Sequence, residues 1–208
     1  MKNKIYNIIL AILVIALIIT IIFIVIKYRK NQIKEKELET VVEEVKVQID
    51  NIKNNNTETN TNNIEIEEIK KEVQVEYKGY NVVGIITIPK LELEYPIIDK
   101  TNEEAMKVSI TKFWGNDVND IGNFTMSGHN YMDGTMFGET KKLNVGDLIE
   151  MTDLLGRTIK YKIFDKYVID PNDVKCVNSV EDGTREITLI TCTNGRSNRL
   201  IIKAREII

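Results

Sequence analysis

The sequence predicts a mainly β domain, a barrel or a sandwich, set behind a membrane-spanning helix and a polar spacer. Three observations predict it. Residues 5–26 form a 22-residue run without a single charge. Residues 31–76 are dominated by Lys, Glu, Asn and Thr. From about residue 77 the chain turns to short β-branched runs at regular spacing with turn residues between them, the pattern of antiparallel barrels and sandwiches.

The first element is the apolar run "IYNIILAILVIALIITIIFIVI". As a helix it spans about 33 Å, close to the hydrocarbon thickness of a bilayer. No small-residue cleavage site follows it, and no face is polar, so it reads as an uncleaved anchor rather than a signal peptide or a buried helix. Lys2 and Lys4 precede it and Lys27, Arg29 and Lys30 follow it, so charge alone does not favour an outward C-terminus. In the spacer, Leu38, Val42, Val45, Ile49 and Ile52 recur at spacings of four and three, the seam of an amphipathic helix. "NNNTETNTNN" at 54–63 breaks that period and reads as a flexible linker.

The strands follow. "VVGIITIPKLELEYPII" at 82–98 is β-branched, and "GNFTMSGHN" at 122–130 is a short run ending in a Gly-His turn. In "GDLIEMTD", Ile149 and Met151 alternate with Glu150 and Thr152. In "RTIKYKIFDKYVID", Ile159, Tyr161 and Ile163 alternate with Lys160 and Lys162. "EITLITC" and "RLIIKAREI" close the chain, and "TNEEAMKVS" at 101–109 is the one short helix expected among them.

Composition removes several function classes. A net charge of −3 gives no broad basic surface for nucleic acid. One histidine and two cysteines show no zinc-ligand spacing, and two thiols are too few for a disulfide framework. What remains is the chemistry of His129, Cys176 and Cys192. A thiol attacks a carbonyl as thiolate, needs a proton partner, and leaves an oxyanion that needs a donor. Cys192 lies where an apolar run ends, the place where strand side chains meet solvent. Asn194-Gly195 is a turn signal. A six-residue loop, 193–198, would return the chain antiparallel and set Arg199 beside Cys192, with Arg196 at the loop tip. A guanidinium held there can donate two hydrogen bonds to a carbonyl oxygen. Cys176, in "DVKCVNS", has a less telling setting and is expected to be a packed, inert thiol, with both cysteines free.

These residues resemble the sortases, membrane-anchored cysteine transpeptidases of Gram-positive bacteria. The family hallmark Thr-Leu-x-Thr-Cys is matched by "TLITC", Thr188 to Cys192; its arginine falls on Arg199 in "RLIIKA" and its histidine on His129 in "SGHNYMDGTMF". "IPKLELEYPI" and "LNVGDLIEM" match further segments in the same order. The resemblance covers about residues 80–208 and implies a closed eight-stranded β-barrel. It divides the chain into an anchor at 1–30, a spacer at 31–76 and a catalytic domain at 77–208. It also implies that Cys192 cleaves a Leu-Pro-x-Thr-Gly-like sorting signal of an exported protein through a thioester. His129 is the implied acid and base, Arg199 the oxyanion donor and Thr191 a substrate contact. The acceptor is an amine of a cell-wall precursor or a pilin lysine. The catalytic domain is expected outside the cell membrane, without a metal or other cofactor; calcium activation and the subclass are left unassigned. Two other readings compete: an L,D-transpeptidase-like cell-wall enzyme, whose Ser-x-Gly-Cys context is not matched by "LIT", and a tethered β-domain that binds surface ligands without catalysis. A papain-like order, Cys before His, is reversed here.

Overall fold

The computed structural model describes residues 2–56, 75–178, 183–193, 195 and 197–207. They fall into two compact units, Met1–Thr40 and Val41–Ile208. Helix α1, Lys2–Asn56, contributes to both. In the first unit its segment Ile9–Arg29 is long and apolar enough to cross a bilayer. Leu13, Ile19 and Phe23 stand exposed, an arrangement that suits lipid and not water.

In the second unit, Val42 and Val45 of the predicted seam are buried, and Lys46 Nζ pairs with Glu94 at 2.9 Å. The helix runs on through Asn54 to Asn56, so the predicted linker begins later than its first asparagine. Residues 57–63 of that linker, and the side chains of Ile49 and Ile52, lie outside the described residues.

Nine strands follow among the described residues: β1 (Glu76–Tyr77), β2 (Tyr80–Ile88), β3 (Leu93–Ile98), β4 (Ile110–Trp114), β5 (Gly122–Ser127), β6 (Leu148–Asp153), β7 (Thr158–Ile169), β8 (Arg185–Thr193) and β9 (Asn198–Glu206). Their order is β1-β2-β3-β4-β5-β8-β9-β7-β6, and β6 pairs back onto β2. Eight strands therefore close into a barrel, with the two-residue β1 added outside β2. Closure removes the free sheet edges that would otherwise invite pairing with other chains. Two neighbour pairs, β3–β4 and β5–β8, are parallel; the rest are antiparallel.

Alternation dictates which side chains fill the barrel. Ile149 and Met151 of β6, Tyr161 and Ile163 of β7, Ile187 and Leu189 of β8, and Ile202 and Ala204 of β9 all belong to one buried cluster. The 82–98 run is two strands rather than one. A 3-10 turn, Pro89–Leu91, reverses it, with Glu92 at positive φ. β4 was not foreseen as a strand. It follows directly on helix α2, Glu103–Val108, which starts where Asn102 Oδ1 accepts from Ala105 N at 2.8 Å.

Candidate active site

The barrel topology gathers the three predicted residues. β5 and β8 run parallel in register, with Ser127 opposite Ile190, so both strands end at the same rim. Cys192 is the penultimate residue of β8, and His129 lies two residues beyond the end of β5. β9 begins at that rim and runs back antiparallel, pairing Arg199 directly with Cys192. Residues so opposed have Cα atoms about 4.5–5.5 Å apart. Thr193 and Asn198 pair as well, so the ladder runs one residue further on each strand than the six-residue loop the sequence suggested. Arg196 lies outside the described residues.

Local bonds fix the histidine. Gly128 N donates to Ile190 O at 3.2 Å, extending the β5–β8 ladder by one step. Thr191 Oγ1 donates to Gly128 O at 2.8 Å from the other side. A Cβ on Gly128 would come within 2.8 Å of the Phe137 ring, so only glycine lets the chain pass here. Phe137 N donates to His129 O at 3.0 Å, closing the loop that follows. Asn130 Nδ2 donates to the carbonyl oxygen of Cys192 at 2.6 Å, which ties the two candidate residues' backbones together. The imidazole lies 5.1 Å from the Tyr131 ring, centroid to centroid.

His129, Cys192 and Arg199 line one cavity of about 380 Å³ on the outer face of the barrel. Ile190 and Ile201 form its floor. The connection between β7 and β8 supplies a wall through Val174, Cys176 and Val177, and α2 contributes Met106. The wall is anchored: Asn123 Nδ2 donates to Cys176 O at 3.0 Å and to Asn178 O at 3.3 Å, and Thr188 Oγ1 donates to Asn123 Oδ1 at 2.8 Å. Both cysteines are free. Cys176 is buried, and that burial pushes its thiol above the ordinary range; Cys192 is only partly covered.

The arrangement places a thiol, an imidazole and a guanidinium around a space large enough for several residues of an extended peptide. That is the equipment for acyl transfer: nucleophile, proton carrier and oxyanion donor. Thr191, read from the sequence as a substrate contact, also borders the cavity, but its hydroxyl is engaged by Gly128. Asn130, Asn123 and Gly128 were not singled out by sequence, although "SGHN" carried two of them. Among the described residues no group of three or more His, Cys, Asp or Glu side chains is placed to hold a metal ion.

Comparison with known proteins places the chain in context. The family model for the sortase domain matches residues 86–207. Sortase A of Listeria monocytogenes is 29% identical over 147 residues, covering 68% of this chain and 65% of that protein. Sortase A of Bacillus anthracis is 30% identical over 118 residues, covering 56% and 55% respectively. The matches thus span less than two thirds of those relatives' lengths. The solved structure of a Clostridium perfringens Sortase D5 transpeptidase superposes with a TM-score of 0.61 at 26% identity, covering 84% of this chain and 98% of that one.

Proposed function

Because the chain belongs to the sortase family, we propose that it is a cysteine transpeptidase that cleaves a Leu-Pro-x-Thr-Gly-like sorting signal through a thioester on Cys192. The observation that carries this reading is the convergence of Cys192, His129 and Arg199 on one cavity at one barrel rim. In the proposed cycle Cys192 Sγ, as thiolate, bonds to the threonine carbonyl carbon. The oxyanion accepts hydrogen bonds from the Arg199 guanidinium. The intermediate collapses with loss of the Thr–Gly C–N bond, and the His129 imidazolium gives its proton to the departing amine. The neutral imidazole then takes a proton from an incoming amine, whose nitrogen attacks the thioester and returns the thiolate.

The acceptor in this reading is an amine of a cell-wall precursor or a pilin lysine. Thr191 acts through its hydrogen bond to Gly128, setting the backbone that carries His129. We assign residues 1–30 as anchor, 31–76 as spacer and 77–208 as catalytic domain. Residues 5–26 would cross the cell membrane once, with the catalytic domain outside, where exported substrates and wall amines are found.

The test is incubation of the full chain in detergent with a library of Leu-Pro-x-Thr-Gly-like peptides and a glycine or lysine amine. Release of the C-terminal tail, together with amine-dependent formation of a ligated product, is the expected result. Absence of tail release from every library member by folded protein overturns the proposal.

A further inference from the structure

The β5–β8 ladder continues past the end of β5. Gly128 N donates to Ile190 O at 3.2 Å, so the Ile190 carbonyl points toward β5. Carbonyls alternate in direction along a strand, so that of Cys192, two residues on, points the same way. The next rung falls to the residue two beyond Gly128, which is Asn130. A side chain supplies it: Asn130 Nδ2 donates to Cys192 O at 2.6 Å. A carbonyl oxygen only accepts, so the amide nitrogen and not the amide oxygen faces it. The Asn130 backbone meanwhile bridges to Met136 as the chain enters the following loop.

This bond differs from the others around the histidine in where it ends. Ile190 and Thr191 hold Gly128, and Phe137 N donates to His129 O at 3.0 Å. Each of those fixes the histidine's backbone against a residue that does not react. The Asn130 bond fixes it against Cys192 itself. Cys192 needs a tie on that side, because β8 ends one residue later at Thr193 and β5 has already ended at Ser127. On its other side Cys192 is paired with Arg199. The thiol's residue is thus held between the strand of the guanidinium and the loop of the imidazole, and Asn130 is the link to that loop. The link needs a short side chain with an N–H at its tip. An aspartate has the same shape but sets a carboxylate oxygen against the carbonyl, and an alanine does not reach. Asn130 is exposed, so in its absence water can take up the carbonyl and the fold survives. What is lost is the fixed relation between thiol and imidazole.

We propose that Asn130 is a positioning residue for acyl transfer: its amide latches the end of β8 to the His129 loop and so holds Cys192 and His129 in a fixed mutual placement. The proposal rests on the transpeptidase reading above, yet the latch has a readout that does not depend on cleavage, the hydrogen exchange of the two segments it joins. The bond acts through the two backbones and leaves the cavity walls that hold a peptide unchanged. Its loss should therefore lower kcat and spare KM. A displacement of ~1 Å costs up to about 100-fold in steps that depend on such alignment.

The experiment compares the full chain in detergent with Asn130→Ala, Asn130→Asp and, as a control for the same loop, the exposed Met132→Ala. Steady-state cleavage of one Leu-Pro-x-Thr-Gly-like peptide is measured beside hydrogen exchange of fragments covering 126–131 and 188–193. In Asn130→Ala and Asn130→Asp, kcat is expected to fall about 30-fold with KM within about twofold of the wild type. Both fragments are expected to exchange faster, at an unchanged unfolding temperature. Met132→Ala should match the wild type throughout. A kcat within about twofold of the wild type in either Asn130 variant overturns the proposal, since Asp keeps the shape and loses only the donor. A rise in KM at unchanged kcat overturns it in favour of direct substrate contact, and a fall in kcat with unchanged exchange overturns it in favour of an action on the reacting groups themselves. If the wild type cleaves no peptide, the transpeptidase reading fails and exchange alone decides the latch: faster exchange in both Asn130 variants upholds it, and unchanged exchange overturns it.

Discussion

Cys192 sits partly exposed at the end of β8, paired with Arg199 and tied through its carbonyl to the loop of His129, whereas Cys176 is 5% exposed in a 3-10 turn across the same cavity. The two walls treat the same side chain in different ways. On the barrel wall, two strands and a loop bring a cation and an imidazole to the rim where Cys192 ends. On the loop wall, the polar contacts go to the backbone: Asn123 holds the carbonyl oxygen of Cys176, and Thr188 in turn holds the Asn123 amide. The Cys176 thiol is left to burial, which favours its neutral form. On the proposed reading, lining the cavity does not by itself make a thiol the nucleophile; the neighbours in register do.

The largest effect should come from the imidazole on the barrel wall. His129 is the chain's only histidine, so no other imidazole can stand in as acid. His129→Ala should lower kcat/KM by at least about 100-fold in steady-state peptide cleavage, the low end for general acid–base catalysis. Turnover near that of the wild type would break the contrast at its strongest point. Arg199→Ala should cost about 100-fold, as loss of an oxyanion donor does, and Arg199→Lys should recover part of it by restoring charge without the fork.

A smaller effect sharpens the role of the strand pairing. Thr191→Val removes the donor to Gly128 O and leaves a buried carbonyl short of a partner. It should lower stability by about 1 kcal/mol in urea titrations and reduce kcat by about fivefold through displacement of His129. An unchanged KM separates this positioning role from direct substrate contact.

On the loop wall the predicted effects are on stability. Cys176→Ala should keep activity and cost about 1–2 kcal/mol of unfolding free energy. The folded state holds the Cys176 proton to higher pH than the unfolded chain does. The wild type should therefore lose stability as pH rises from the ordinary thiol range toward the raised value, and Cys176→Ala should remove that slope. Denaturant midpoints measured across that alkaline range decide it. The smallest effect is expected from deletion of residues 1–30, which lie in the separate first unit. Peptide cleavage within about twofold of the full chain is predicted; loss of cleavage with the fold retained would place part of the N-terminal segment in the site.

The barrel wall was legible in the sequence because its signals are local. "TLITC", the Asn194-Gly195 turn and "RLIIKA" fix a hairpin whose register sets Arg199 against Cys192, and the observed pairing agrees. The loop wall was not legible, because its placement depends on Asn123, which is far from Cys176 in the chain and is itself held by Thr188. Nothing around "DVKCVNS" announces a distant amide. β4 was missed for another reason. "ITKFW" leaves α2 with no Gly or Pro between them, and only its parallel pairing with β3 and antiparallel pairing with β5 make it a strand. The split of 82–98 escaped notice because Leu91 and Leu93 keep the apolar pattern running through the Pro89 turn.

The central claim is that Cys192 and not Cys176 carries the acyl group. Intact-mass spectrometry after incubation with a thiol-reactive Leu-Pro-x-Thr analogue, without reductant, tests it most directly. The account predicts one adduct per chain in the wild type and in Cys176→Ala, mapped to Cys192 by peptide digestion, and none in Cys192→Ala. An adduct that persists in Cys192→Ala, or a 176–192 disulfide in fully active protein, would contradict it.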